Sequence, residues 1–265
     1  MTVTAVHLGG SPDLPLLVLG PSLGTSATTL WSAVADRLAG VAHCVGWDLP
    51  GHGTNRLPLA TAEPTMADLA ADVLRVVDEV AGPGAPFHCA GDSVGGAVGL
   101  QLLLDAPDRV RSATLLCTGA RIGTAASWAA RIEQVLASGT PSLVAASAER
   151  WFAPGFLERE PARGSALLHA LSDADEEGYA AVCRALAAFD VVDRLGEVRA
   201  PVLAVAGAHD VATPPDLLRQ VAEGVPDGRL VVLDDVAHLA PAEAPGTVAD
   251  LLREQLAAVA QEVGA

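Results

Sequence analysis

The stretch Pro86-Phe-His-Cys-Ala-Gly-Asp-Ser-Val-Gly-Gly96 decides the reading of this chain. An apolar, strand-like run from Pro86 to Ala90 leads into Gly91-Asp92-Ser93-Val94-Gly95, a G-x-S-x-G pattern, and a helical segment from Gly95 to Asp105 follows. So sharp a passage from strand to helix crowds its neighbours, and the flanking positions must lack side chains. The serine is then held strained, with its oxygen projecting above the sheet. The first amides of the helix point at the same place. Ser93 is therefore the expected nucleophile, and a serine hydroxyl needs a base to act as one.

Outward from that turn, strand and helix alternate. Upstream, Pro15–Leu19 and Val41–Trp47 read as buried strands, while Thr28–Leu38 and Thr65–Val80 carry apolar residues at helical spacing. Downstream come a strand at Val110–Cys117, a strand at Pro201–Ala206, a helix at Pro214–Glu223, a strand at Arg229–Leu233 and a helix at Ala244–Val259. This alternation predicts an α/β fold, a mostly parallel sheet with helices on both faces. The rhythm stops between Gly119 and Asp190, where the chain is Ala-rich, helical in tendency and holds most of the aromatics. The expected organisation is a core of residues 1–118 and 191–265 with a helical cap, residues 119–190, inserted into it.

With a serine on such a turn, the acid and then the base follow it in the chain. His7, His43 and His88 lie in or beside strands, His52 precedes the serine, His169 falls in the insertion and His209 adjoins Asp210. His238 follows a strand and the acidic turn Asp234-Asp235, where a loop can carry it over Ser93, and is the expected base. Asp210, directly after the Pro201–Ala206 strand, is the expected acid that orients the imidazole. A helix N-cap role for Asp210, or Asp234 or Asp235 as the acid, are the alternatives. An oxyanion hole needs two backbone N–H groups. Val94 supplies one. The loop Gly20-Pro-Ser-Leu-Gly24 supplies the other, from Leu23 or, second, Ser22, since Pro21 has no N–H.

Composition narrows the partners. All 16 cations are Arg and face 32 acids, for a net charge of −16. That balance argues against nucleic acid and against docking on an anionic membrane. No run of about 20 apolar residues predicts a membrane span. Met1–Gly10 has no basic segment before an apolar run, and Cys44, Cys89, Cys117 and Cys183 form no CxxC pair. A cytoplasmic location with buried, reduced thiols is expected. No metal-ligand spacing, dinucleotide fingerprint or P-loop occurs, so neither a metal nor a cofactor is expected.

Several longer pieces carry a resemblance. They are Ser22-Leu-Gly-Thr25, Gly91-Asp-Ser-Val-Gly-Gly96, Cys117-Thr-Gly-Ala-Arg-Ile-Gly-Thr124 with Trp128 and Arg131-Ile132, Arg150-Trp-Phe-Ala-Pro154, Gly178-Tyr179, Ala206-Gly-Ala-His-Asp210 with Ala212-Thr-Pro-Pro215, and Ala237-His-Leu239. Together they resemble the α/β-hydrolase fold family and, within it, the 3-oxoadipate enol-lactonases of the β-ketoadipate pathway of aromatic-compound degradation. Two positions depart from that family, which usually has an apolar residue at Asp92 and Asn at Pro21. The resemblance implies a serine esterase that opens a small carboxylated enol-lactone through a Ser-His-Asp catalytic triad and an acyl-enzyme, without a cofactor. A chain this acidic needs a local Arg for such an anion. Arg121, just past a strand, and Arg131, one helical turn past Trp128, are the expected ones, with Trp128 and Trp151 either walling the substrate or packing the cap. Other readings are a broad carboxylesterase or biosynthetic lactonase, a cofactor-free oxidative or carbon–carbon-bond enzyme, and a non-catalytic binding protein on the same fold.

Overall fold

The structure, a computed structural model, describes residues 3–56, 59 and 63–263. Seven strands form one sheet: β1 (Thr4–Gly9), β2 (Leu16–Gly20), β3 (His43–Asp48), β4 (Phe87–Asp92), β5 (Val110–Leu116), β6 (Val202–Gly207) and β7 (Gly228–Leu233). Their spatial order is β1-β3-β2-β4-β5-β6-β7, with β1 antiparallel to β3 and every other pair parallel. Every residue of β2, β3 and β6 is buried. Because successive side chains point to opposite faces, both faces of the sheet are covered. The sequence reading lacks β1. Its alternation of half-buried Thr4 and Val6 with exposed Ala5 and His7 is the pattern of a half-covered edge strand, and it is only a few residues long.

The covering helices are α1 (Ala27–Leu38), α2 (Met66–Ala81), α3 (Val94–Asp105), α9 (Pro215–Gly224) and α11 (Pro245–Val263), with α10 a single turn at Ala240–Glu243. Between β5 and β6 the chain makes α4 (Ala125–Ser138), α5 (Val144–Trp151), α6 (Phe156–Arg159), α7 (Pro161–Ser172) and α8 (Glu176–Ala188), and no strand. α1 starts cleanly because Ser26 caps the Thr29 N–H and Thr29 returns the bond, and Thr65 with Asp68 does the same for α2. α3 is apolar all round and buried from Val94 to Leu103.

The strand order also fixes where a ligand can sit. From β2 the chain moves to β3 on one side, and from β4 to β5 on the other, while β2 and β4 are neighbours. In an open parallel sheet the crevice lies beyond the carboxyl ends of two such strands. Ser93 follows β4, and the loop from Pro21 to Ser26 follows β2.

Candidate active site

The turn after β4 is as tight as its glycines suggest. Ser93 has φ 54° and ψ −115°, a left-handed conformation that costs a non-glycine residue about 1–3 kcal/mol. It is held from both sides: its N–H donates to Leu116 O at 2.9 Å, and Thr118 Oγ1 donates to its carbonyl at 2.6 Å. A Cβ on Gly91 would collide with the carbonyl of Gly95. One on Gly95 would come within 2.5 Å of the Gly20 carbonyl carbon. The two glycines of the motif thus let α3 start against β2 and β4.

Ser93 Oγ lies 3.0 Å from His238 Nε2, and His238 Nδ1 lies 2.8 Å from Asp210 Oδ2. All three side chains are buried. Asp210 Oδ1 accepts the N–H groups of Ala212 (2.8 Å) and Thr213 (2.9 Å), and Oδ2 accepts the Thr213 hydroxyl at 2.7 Å. Burial pushes this carboxyl up, but His238 and the Thr213 donors outweigh it and hold Asp210 below its ordinary value. Asp234 and Asp235 are both exposed on the turn before the histidine loop. The structure therefore brings Asp210 to the imidazole and leaves those two in solvent. The arrangement is a hydroxyl, a base and an orienting carboxylate in one line, which is what covalent acyl transfer requires.

The loop after β2 distinguishes its two candidate donors. The Ser22 N–H is committed to Thr25 Oγ1 at 3.1 Å, and among the described residues the Leu23 N–H has no acceptor. Val94 is the first residue of α3, so its N–H has no partner within the helix.

These groups open on a cavity of about 260 Å³. It is lined by Ser22, Leu23, Ser93 and His238 and, from the helical segment between β5 and β6, by Trp128, Arg131, Arg150, Trp151 and Tyr179 among others. Trp151 also packs in the apolar core and Trp128 against it. The Trp128 indole donates to Ile122 O at 2.7 Å, and Trp151 is 5% exposed. Arg131 donates to the Tyr179 hydroxyl at 3.4 Å. Arg121 does not reach the cavity. Its side chain is 66% exposed and its guanidinium pairs with Asp190 at 3.3 Å, so the charge is directed to solvent although its neighbours Ala120 and Ile122 are buried. Arg150, not selected from the sequence, stands in its place. Its Nε is buried without a hydrogen-bond partner, and burial together with nearby Arg131 lowers its guanidinium from the ordinary value. Neither Arg131 nor Arg150 has an acid within ion-pair distance among the described residues. The signal for Arg150 was its place beside Trp151 in Arg150-Trp-Phe.

The other histidines lie elsewhere. His52 is fully buried, stacks on Tyr179 at 5.8 Å and is pushed down to about 4 by burial. His88 bonds Ser112 Oγ at 2.8 Å, and His169 and His209 are exposed. Asp92 does not face the cavity. It is fully buried behind Ser93 with both carboxyl oxygens unpartnered, and burial, then Asp210 and Glu243, push it well above its ordinary value. The fold therefore favours its neutral form, and unfolding eases its ionisation. The unfolded chain binds fewer protons above the ordinary carboxylate range, so this group's contribution to stability falls as pH rises. Asp92→Asn keeps the shape and removes the ionisation. Its melting temperature is expected to exceed that of the unsubstituted protein by a margin that grows from about pH 5 to about pH 8. A margin independent of pH in thermal melts would contradict a neutral Asp92.

Comparison with known proteins agrees with this architecture. The sequence profile of the alpha/beta hydrolase fold matches residues 15–245. The chain is 33% identical over 237 residues to 3-oxoadipate enol-lactonase 2 of Acinetobacter baylyi, covering 89% of this chain and 86% of that protein. It is also 33% identical over 244 residues to the putative carbamate hydrolase RutD of Variovorax paradoxus, covering 86% of each. Among solved structures, the enol-lactonase from Burkholderia xenovorans LB400 superposes with a TM-score of 0.90 at 28% identity, over 96% of both chains. Among the described residues no helix is long and apolar enough to cross a membrane. The strand order, the serine turn at the end of β4 and a profile match spanning most of the chain lead to one conclusion: this chain belongs to the α/β-hydrolase fold family.

Proposed function

We propose that the chain is a serine hydrolase that opens 3-oxoadipate enol-lactone to 3-oxoadipate, with Ser93, His238 and Asp210 as its triad. What carries this reading is the serine–imidazole–carboxylate line opening on a small cavity that holds two arginines without acid partners. Similarity to the enol-lactonases supports the same substrate. In the reaction His238 Nε2 takes the Ser93 proton as Oγ bonds to the lactone carbonyl carbon. The oxyanion is met by the Leu23 and Val94 N–H groups. Collapse breaks the ring C–O bond. The leaving oxygen departs as an enolate, takes the proton from His238 and ketonises. Water, deprotonated by His238, then attacks the acyl carbon and frees Ser93. Trp128 and Trp151 wall the substrate. All four cysteines are buried and unpaired, which fits a reducing, cytoplasmic setting for this function.

Turnover of the enol-lactone, followed by loss of its ultraviolet absorbance, tests the proposal directly. Arg131 and Arg150 are the expected clamps for the substrate carboxylate, a task suited to planar guanidinium forks. Truncating the one that grips it is expected to cost about 2–5 kcal/mol in kcat/KM for the lactone. The same change should hardly alter turnover of neutral p-nitrophenyl acetate, and Arg121→Ala should alter neither. Equal losses on both substrates would make that arginine structural. A second reading, hydrolysis of a small carbamate, is favoured by the RutD similarity. Turnover of a carbamate in preference to the lactone would select it.

A further inference from the structure

The loop that carries His238 has its backbone donors tied down one after another. The Ala237 N–H donates to Glu243 Oε1 at 2.9 Å. The His238 N–H donates to Trp151 O, in the cap, at 3.1 Å. The Leu239 N–H faces the Glu243 carboxylate as well. The second oxygen of that carboxylate, Oε2, accepts the Ala153 N–H at 2.7 Å, again from the cap. One carboxylate at the end of α10 thus spans two elements: the peptide groups on either side of His238, and the cap segment just past Arg150 and Trp151. Burial pushes the Glu243 carboxyl up, and the three N–H donors and His238 draw it back down.

We propose that Glu243 is a positioning residue that locks the His238 loop to the cap segment Arg150–Ala153, so that the imidazole keeps its line to Ser93 while the neighbouring side chains hold the substrate. The proposal rests on Ser93 and His238 acting as nucleophile and base, and it adds a reason for the cap to matter to chemistry as well as to binding. Backbone N–H groups that converge from two elements, Ala237 from one and Ala153 from the other, need an acceptor with two strong oxygens. A carboxylate supplies both in a charge-assisted form, whereas an amide offers one oxygen and turns a donor toward the other N–H. Misplacing a catalytic base by about 1 Å costs about 10²-fold in rate.

The experiment uses the full chain and Glu243→Ala and Glu243→Gln. Three readouts are compared below each variant's melting temperature. They are the rate at which a fluorophosphonate labels Ser93, the far-downfield proton resonance of His238 Nδ1–H bonded to Asp210, and the division of any catalytic loss between kcat and KM. Glu243→Ala is expected to slow labelling by about 10²-fold and to broaden or lose the resonance. Glu243→Gln, with one acceptor left, should fall between Ala and Glu. The loss should appear in kcat, and to the same extent for the lactone and for p-nitrophenyl acetate. A folded variant that melts earlier but labels at the unsubstituted rate would overturn the proposal, as a purely structural Glu243 would behave that way. A loss confined to KM for the carboxylated lactone would overturn it too, because the clamp would then act on Arg150 alone. If the Ala variant does not fold, the Gln variant decides by the same criteria. Failure of the unsubstituted protein to open the lactone would sink the proposed substrate, and the labelling series would still stand or fall on its own.

Discussion

Ser93→Ala is expected to abolish turnover, by about 10⁶-fold in kcat, while the protein melts close to its original temperature. The loss is large because, among the described residues, Ser93 Oγ is the hydroxyl within hydrogen-bond distance of His238 Nε2, and the proposed acyl-enzyme has no other nucleophile. The fold should persist because the strained turn is held through backbone groups. Neither the Ser93 N–H bond to Leu116 nor the Thr118 bond to the Ser93 carbonyl involves the side chain removed. Alanine carries the same left-handed strain as serine, so strain is neither added nor relieved. Steady-state rates on the lactone and on p-nitrophenyl acetate, set beside a thermal melt, check this. Residual activity within tenfold of the unsubstituted protein would exclude an acyl-enzyme on Ser93.

Asp210→Asn comes next, with an expected loss of roughly 10⁴-fold in kcat. The structure gives the reason in hydrogen bonds. Position Oδ1 faces two backbone donors, from Ala212 and Thr213, so the asparagine oxygen must sit there. The NH₂ group is then turned toward His238 Nδ1, which must accept, and the ring proton moves to Nε2. That nitrogen then presents a proton to Ser93 Oγ and cannot take one. The shape of the site is preserved and its tautomer is reversed. The lactone assay run on Asp210→Asn, Asp234→Asn and Asp235→Asn distinguishes the candidate acids. The last two are exposed and should behave as unsubstituted protein. A mild Asp210→Asn with a damaging change at 234 or 235 would reassign the acid.

Much of this molecule is legible in one dimension. The alternation of apolar runs and helical periodicities places eleven of the elements of the α/β core to within a few residues, because burial on both sheet faces writes itself as uninterrupted apolar sequence. Gly91 and Gly95 announce the turn, since their missing side chains are a local steric demand. Chain order, with a strand end just before each, points to His238 and favours Asp210, while Asp234 and Asp235 stay open as acids until folding places them in solvent. Edge strand β1 is short and half-covered, so its signal is faint.

The helical segment between β5 and β6 is different. Its helices are amphipathic in the ordinary way, and sequence alone does not say which face meets the core. Arg121 and Arg150 are equivalent as symbols in the chain. Folding pairs one with Asp190 at the surface and leaves the other beside Arg131 over the cavity without an acid. Asp92 could have faced a substrate, and the pleat of β4 turns it into the core instead. Glu243 lies 90 residues from Ala153 in the chain and 2.7 Å from it in space. The sequence by itself determined the elements, the serine turn and the order of the triad, because these follow from local sterics and periodic burial. Only the tertiary structure decided which charges are paired, which carboxyls are pushed toward their neutral form and which arginines stand over the cavity without an acid, because each depends on neighbours that the chain brings together from far apart.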